Sequence, residues 1–127
     1  MAMKTSRILV VDNDPTITTP LKACLEASEL YDVRIENDPE KALSAAKEFQ
    51  PALVLLDIDM PKMVGGDVAR SFSQNSSTKN IPIIFLSGMA SQDEVDAAGG
   101  KISGYPFIPK PIDLPKLIVA IQKHLRK

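Results

Sequence analysis

A single cysteine, Cys24, stands among the 127 residues, which excludes an internal disulfide and any multi-cysteine metal site. Charge of one sign is equally scarce. The 15 Lys and Arg against 16 Asp and Glu leave a formal charge of -1. That balance removes the electrostatic case for nucleic acid as a direct partner, since phosphate binding needs a basic excess or a basic stripe. The apolar runs reach only about six residues, too few to span a bilayer, so no membrane partner is expected. Met1 to Val11 carries two early positive charges and a short apolar run, but Asp12 ends it before a signal-peptide core is complete. There is no long internal repeat, linker or low-complexity tract. The length suits one domain with a real core and is too short for two. The expectation is one soluble, cytoplasmic domain over residues 1–127, with Met1–Arg7 and Arg126–Lys127 as termini.

Short apolar runs alternate with longer segments of helical period, five times over. The runs are Ile8 to Val11, Val33 to Ile35, Leu53 to Leu56, Ile81 to Leu86 and Phe107-Ile108. The first, third and fourth are continuously apolar, as in parallel strands covered on both faces. The second lies in Tyr31-Asp32-Val33-Arg34-Ile35-Glu36, whose alternation suits an edge strand with one wet face. Asp14-Pro15 reads as an N-cap and first-turn proline opening a helix to about Glu29, with Pro20 imposing a kink or a late start. Asp38-Pro39 repeats the signal for a helix to about Glu48, and Asp113 caps a last helix to about Arg126. Gly66 to Phe72 and Ser91 to Ala98 read as shorter helices, and Ser73 to Asn80 as a loop. Five βα units in one small domain make an α/β fold, an open, doubly wound parallel sheet with helices on both faces.

Ligands of such sheets bind beyond the carboxyl ends of the strands, where strand order reverses. Strand one ends in Asp12-Asn13-Asp14, strand three in Asp57-Ile58-Asp59, strand four in Ser87-Gly88 and strand five in Pro109-Lys110-Pro111. Carboxylates, a hydroxyl and an ammonium thus arrive at one rim, which suits an oxyanion with a hard cation. Close carboxylates repel unless a cation sits between them. Mg2+ takes oxygen ligands, keeps waters and bridges carboxylates to phosphate, and Mn2+ can replace it. An ionised Asp beside such a cation can attack phosphorus and form an acyl phosphate. The new phosphoryl oxygens then need a second cation and a hydroxyl donor, for which Lys110 and Ser87 are the candidates.

The pieces Ile8-Leu9-Val10-Val11-Asp12, Leu55-Leu56-Asp57-Ile58-Asp59-Met60-Pro61, Ile81-Pro82-Ile83-Ile84-Phe85-Leu86-Ser87 and Lys110-Pro111 occur in this order. Thirty residues separate Asp57 from Ser87 and twenty-three separate Ser87 from Lys110. Over essentially its whole length the chain resembles a response-regulator receiver domain, the chemotaxis-regulator-like phosphoacceptor module of two-component signalling. The resemblance implies a flavodoxin-like (βα)5 sheet with strand order 2-1-3-4-5. It implies Asp57 as phosphoacceptor, Asp12 and the backbone carbonyl of Asp59 as Mg2+ ligands beside Asp57, Ser87 as switch hydroxyl and Lys110 as phosphoryl counter-ion. It further implies a cis bond before Pro111 and a loop role for Gly65. The partners implied are a histidine kinase or histidine phosphotransfer protein, and a downstream protein target or output domain reached through the fourth helix, fifth strand and fifth helix. Such a domain is a switch rather than an enzyme, with Mg2+-dependent self-phosphorylation from a phosphodonor and slow autodephosphorylation.

Three departures bear on this. Asn13 stands where the family usually has a second acid, and an amide ligand without charge implies weaker metal binding; Asp14 can compensate unless it serves as the helix cap. Val64 replaces the usual Asp or Asn before the loop glycine. The approach to strand five, Gly99 to Phe107, is unusual, and Phe107 and Tyr105 compete for the role of switch aromatic. Two other functions fit parts of the pattern. A pseudo-receiver would keep the fold as a protein-binding module that Asn13 has made unable to accept phosphate. A haloacid-dehalogenase-like phosphohydrolase would use Asp57-Ile58-Asp59 as its Asp-x-Asp pair, although in that family the motif closes the first strand. Cys24 reads as a core residue of the first helix, and His124 as a cation complementing a helix C-terminus rather than a phosphodonor. Gly65-Gly66 and Gly99-Gly100 read as turns rather than nucleotide fingerprints.

Overall fold

The computed structural model describes residues 5–58, 65–88, 101–102 and 105–125. Along the chain run β1 (Ser6–Val11), α1 (Pro15–Glu26), β2 (Tyr31–Glu36), a 3-10 turn (Pro39–Lys41), α2 (Ala42–Phe49), β3 (Leu53–Asp57), α3 (Gly65–Ser73), β4 (Ile83–Ser87), β5 (Lys101–Ile102), β6 (Tyr105–Pro109) and α4 (Leu114–His124). The strands form one sheet in the order β2-β1-β3-β4-β6-β5. Counting only the parallel strands, this is the expected order 2-1-3-4-5. The two-residue β5 pairs antiparallel with β6 on the outer edge, Ile102 opposite Tyr105. Two residues carry no readable alternation, so this strand left no signal in the sequence.

Period two divides the central strands between two cores. Ile8 and Val10 of β1, with Leu53 and Leu55 of β3, pack beneath Leu21 and Leu25 of α1 and Leu117 and Ile121 of α4. Leu9 and Val11, with Val54 and Leu56, face Ala42, Ala45 and Ala46 of α2 and Val68, Ala69 and Phe72 of α3. Both faces being covered explains why these strands read as unbroken apolar runs. β2 pairs only with β1 and is the edge strand its alternation indicated.

Three aspartates start helices as expected. Asp14 accepts from the backbone N–H of Thr16 at 2.9 Å, Asp38 from Glu40 at 3.0 Å and Asp113 from Lys116 at 3.3 Å. Several boundaries differ from the sequence reading. α1 begins at Pro15 and runs on through Pro20, so there is no late start. Pro20 leaves the Thr16 carbonyl without a helical donor, at a residue that is exposed to solvent. The helix ends at Glu26 rather than Glu29, because Glu29 takes a left-handed conformation (φ 62) that turns the chain into β2. The segment after Asp38 opens as a 3-10 turn before α2. Gly65, expected in a loop, is the first residue of α3. Ser6 and Arg7, assigned to the terminus, belong to β1, and α4 stops at His124. Cys24 is exposed rather than buried, because the core-facing stripe of α1 is Thr18, Leu21 and Leu25. The expected helix Ser91–Ala98, Met60-Pro61, Val64, Gly99 and Gly100 lie outside the described residues.

Candidate functional site

Strand order reverses between β1 and β3, and that is where the acidic residues meet. Val11 lies opposite Leu56 in the parallel register, so the next residues, Asp12 and Asp57, emerge side by side from the sheet. On the other flank of β3, Asp57 lies opposite Leu86, which brings Ser87 to the same rim. Ser87 in turn lies opposite Pro109, and its carbonyl accepts the backbone N–H of Lys110 at 2.7 Å. The register therefore gathers four residues from 98 positions of sequence into one cluster. Asp12, Asp57 and Ser87 are all buried.

The Lys110 ammonium bridges the two acids. Its Nζ donates to Asp12 Oδ2 at 2.8 Å and lies 3.3 Å from Asp57 Oδ1. Burial opposes the charge on Lys110, but the hydrogen bond to Asp12 and the negative charges of Asp12 and Asp57 outweigh it and hold its pKa above the ordinary 10.5. Asp12 Oδ1 accepts the backbone N–H of Asp14 at 3.0 Å, tightening the turn out of β1. The Lys110–Pro111 peptide is cis, as expected. Gly88 lies against Lys110, its missing Cβ position 3.8 Å from Lys110 Cβ.

Asp14 is engaged as the cap of α1, and its Oδ1 also accepts the Thr16 hydroxyl at 2.6 Å. Those bonds from Thr16 hold its pKa below the ordinary 3.8. It therefore serves as the helix cap, as the Asp14-Pro15 pattern indicated. Asn13 is exposed at the mouth of the site. Asp59 lies outside the described residues. Phe107 is buried against the α2–α3 core, whereas Tyr105 is half-buried with its ring centroid 5.0 Å from that of Phe85. Tyr105 is thus the aromatic with the freer outer surface.

Sequence reasoning missed Asn37 and Thr18. Asn37 Nδ2 donates to the backbone carbonyl of Asp12 at 2.7 Å and to Thr18 Oγ1 at 3.2 Å, tying the end of β2 to the β1–α1 turn that carries the acids. An Asn directly before a helix-capping Asp is the available signal, but it reads as a turn residue until the fold brings it over Asp12.

Two carboxylates against one ammonium leave a local charge of -1. All the donors are hard oxygens, with the Asn13 amide at the mouth. Among the described residues no group of three or more His, Cys, Asp or Glu converges on a point. Mg2+ fits that donor set, because it binds through one or two carboxylates and retains waters; a cation needing a full protein cage does not. Beside Lys110, between α1 and the start of α4, lies an apolar hollow of about 520 Å3 walled by Ile17, Leu21, Ile112 and Leu114, with Cys24 on its rim.

Fold and rim together define a doubly wound sheet protein with a buried carboxylate–ammonium cluster at its switch point. The chain belongs to the response regulator receiver domain family, whose model matches residues 8–122. It is 37% identical over 122 residues to the DNA-binding response regulator MtrA of Mycolicibacterium smegmatis, an alignment covering 95% of this chain and 51% of that protein. The chain spans about half the length of the curated relatives it matches. In fold it resembles the chemotaxis protein CheY4 of Vibrio cholerae (TM-score 0.81, 24% identity, covering 96% of this chain and 100% of that one). It also resembles the receiver domain of the sensor histidine kinase PA1611 of Pseudomonas aeruginosa PAO1 (TM-score 0.78, 22% identity, covering 95% and 98%), which holds a magnesium ion in its active site cleft.

Proposed function

We propose that this domain is a phosphoacceptor switch that receives a phosphoryl group on Asp57 from a histidine kinase or histidine phosphotransfer protein. The observation that carries the proposal is the buried Asp12–Lys110–Asp57 cluster, with Ser87 beside it, at the switch point of the sheet. An Asp57 carboxylate oxygen attacks the phosphorus of the donor. The new O–P bond forms as the donor's N–P bond breaks, and the imidazole nitrogen leaves with the electron pair. Lys110 is already within reach of Asp57 and pairs with a phosphoryl oxygen, while the Ser87 hydroxyl donates to another. Asp12, Asp57, Asn13 and the backbone of Asp59 would hold Mg2+, which when bound neutralises charge on the transferring group. The hollow beside Lys110 supplies an apolar seat for the donor protein next to the acceptor.

The acyl phosphate exchanges a planar carboxylate for a dianionic group that only one arrangement of Ser87 and the strand β6 aromatic accommodates. The domain acts by that population shift, through the face that includes β6 and α4, on a protein target or an output domain. No direct nucleic-acid contact is assigned to this domain, and its place of action is the cytoplasm. The phosphohydrolase reading is the less favoured, because Asp57 closes the third strand along the chain rather than the first.

Intact mass after incubation with acetyl phosphate and Mg2+ tests the proposal. One phosphoryl adduct, lost in Asp57→Asn or without the metal, is the expected result. No adduct at any Mg2+ concentration, with hydrolysis excluded by rapid quenching, makes the domain a pseudo-receiver.

A further inference from the structure

The outer edge of β2 is closed by a side-chain pair. In the parallel ladder with β1 the carbonyls of Leu30 and Glu36 point inward, accepting from Ser6 and Asp12. Tyr31, Val33 and Ile35 therefore turn their N–H and C=O groups outward. At the central position both groups are taken by α1. Glu26 Oε2 accepts the Val33 N–H at 3.0 Å, and Lys22 Nζ donates to the Val33 carbonyl at 2.7 Å. Lys22 and Glu26, one helical turn apart, bond each other at 2.9 Å. The pair satisfies the edge as a neighbouring strand would, which makes it a plug on a surface otherwise ready for strand addition.

The plugged edge is complementary to itself. If a second copy approaches antiparallel about a two-fold axis through Val33, the Val33 residues of the two copies form a hydrogen-bonded pair. Tyr31 of each then lies opposite Ile35 of the other, an aromatic facing a β-branched residue. Asp32 of each lies opposite Arg34 of the other, so both flanking pairs join opposite charges. Asp32 is exposed, and Arg34 reaches outward to Glu48 at 3.0 Å in an ion pair that solvent screens. A shift by one position would place Asp32 opposite Ile35 and turn the apolar face outward, and a shift by two would set Arg34 opposite Arg34 or Asp32 opposite Asp32, so this register alone joins both the apolar and the opposite-charge pairs.

We propose that the β2 edge is a latent homodimerisation surface for a second copy of this chain, held shut by the Lys22–Glu26 pair. Opening the pair joins two sheets into one continuous, isologous sheet. This surface is separate from the carboxylate rim and does not depend on the phosphoacceptor reading.

Analytical ultracentrifugation of the double variant Lys22→Ala/Glu26→Ala tests it. Self-association at least about tenfold tighter than wild type is expected. Adding Asp32→Arg, which sets two positive charges opposite each other, is expected to abolish the dimer, and Asp32→Arg with Arg34→Asp to restore it. A plug variant as monomeric as wild type overturns the proposal, as does a dimer indifferent to Asp32→Arg. Should the double variant fail to fold by circular dichroism, Lys22→Met/Glu26→Leu, which keeps the apolar stems but removes both polar groups from Val33, carries the same comparison. No gain in association in that variant also overturns the proposal.

Discussion

Lys110 Nζ lies 2.8 Å from Asp12 Oδ2 although 98 residues separate them, and this contact spans the sheet from β1 to the end of β6. A fully buried carboxylate is tolerable only with such a partner, because the charge would otherwise be stripped of water without compensation. The same ammonium serves Asp57, so one lysine balances two acids.

Replacing Lys110 with Met should therefore be costly. Asp12 is left buried and unneutralised, and the expected loss is about 3 kcal/mol in urea unfolding at neutral pH. The raised pKa of Lys110 fixes the sign of the pH dependence. The pairing is fully present below the ordinary value of 10.5 and is lost as pH rises through the higher folded-state value. The gap between wild type and variant should close in that alkaline window. A gap that persists there would assign the stability to packing of the lysine stem instead.

Asp57→Asn should have the opposite effect. Removing one of two neighbouring carboxylates relieves their repulsion while Lys110 keeps its shorter bond to Asp12. The expected gain is about 1 kcal/mol, a case of a functional group held at a cost to stability. Thermal unfolding without divalent cations measures it, and a destabilised variant would show that Asp57 is held mainly by attraction to Lys110.

Asn13 sets the expected metal affinity. Asn13→Asp adds a charge at the exposed mouth of the site and should tighten Mg2+ binding about tenfold, read by calorimetry. In thermal melts, Mg2+ at a hundred times its dissociation constant should stabilise the wild type by about 2.7 kcal/mol, an effect that chelation removes. Equal affinity in the two proteins would place residue 13 outside the metal's reach.

Glu26 supplies an acid-sensitive element away from that site. Its pKa is held below the ordinary 4.5 by hydrogen bonds from Lys22 and from the Val33 N–H. A lowered carboxylate pKa contributes stability that is present above the unfolded value and is lost as pH falls through the folded one. Glu26→Gln should cost about 1 kcal/mol at pH 7 and nothing below that acid window. A pH-independent difference would mean that the carboxylate's charge does not matter there.

Much of this was legible in the residues. The continuous runs Ile8 to Val11 and Leu53 to Leu56 declare two-sided burial, and Asp12, Asp57, Ser87 and Lys110 stand at strand ends, where parallel sheets place their chemistry. What the sequence hid depends on tertiary register. Asn37 looks like a turn residue until β2 carries it over the Asp12 carbonyl, and Cys24 looks apolar until the helix phase of Leu21 and Leu25 turns it outward. The Lys22–Glu26 pair looks like an ordinary surface i,i+4 bridge until α1 crosses the Val33 edge. β5, with two residues, carries no pattern at all.

The phosphoacceptor itself is tested most directly by locating the phosphoryl group. Borohydride reduction of the phosphorylated domain converts an aspartyl phosphate to homoserine, which tandem mass spectrometry places in the sequence. Homoserine at position 57 alone, formed only when Mg2+ was present, is the predicted result. Homoserine at another aspartate, or a phosphoryl group that survives borohydride on a hydroxyl, would contradict the assignment of Asp57.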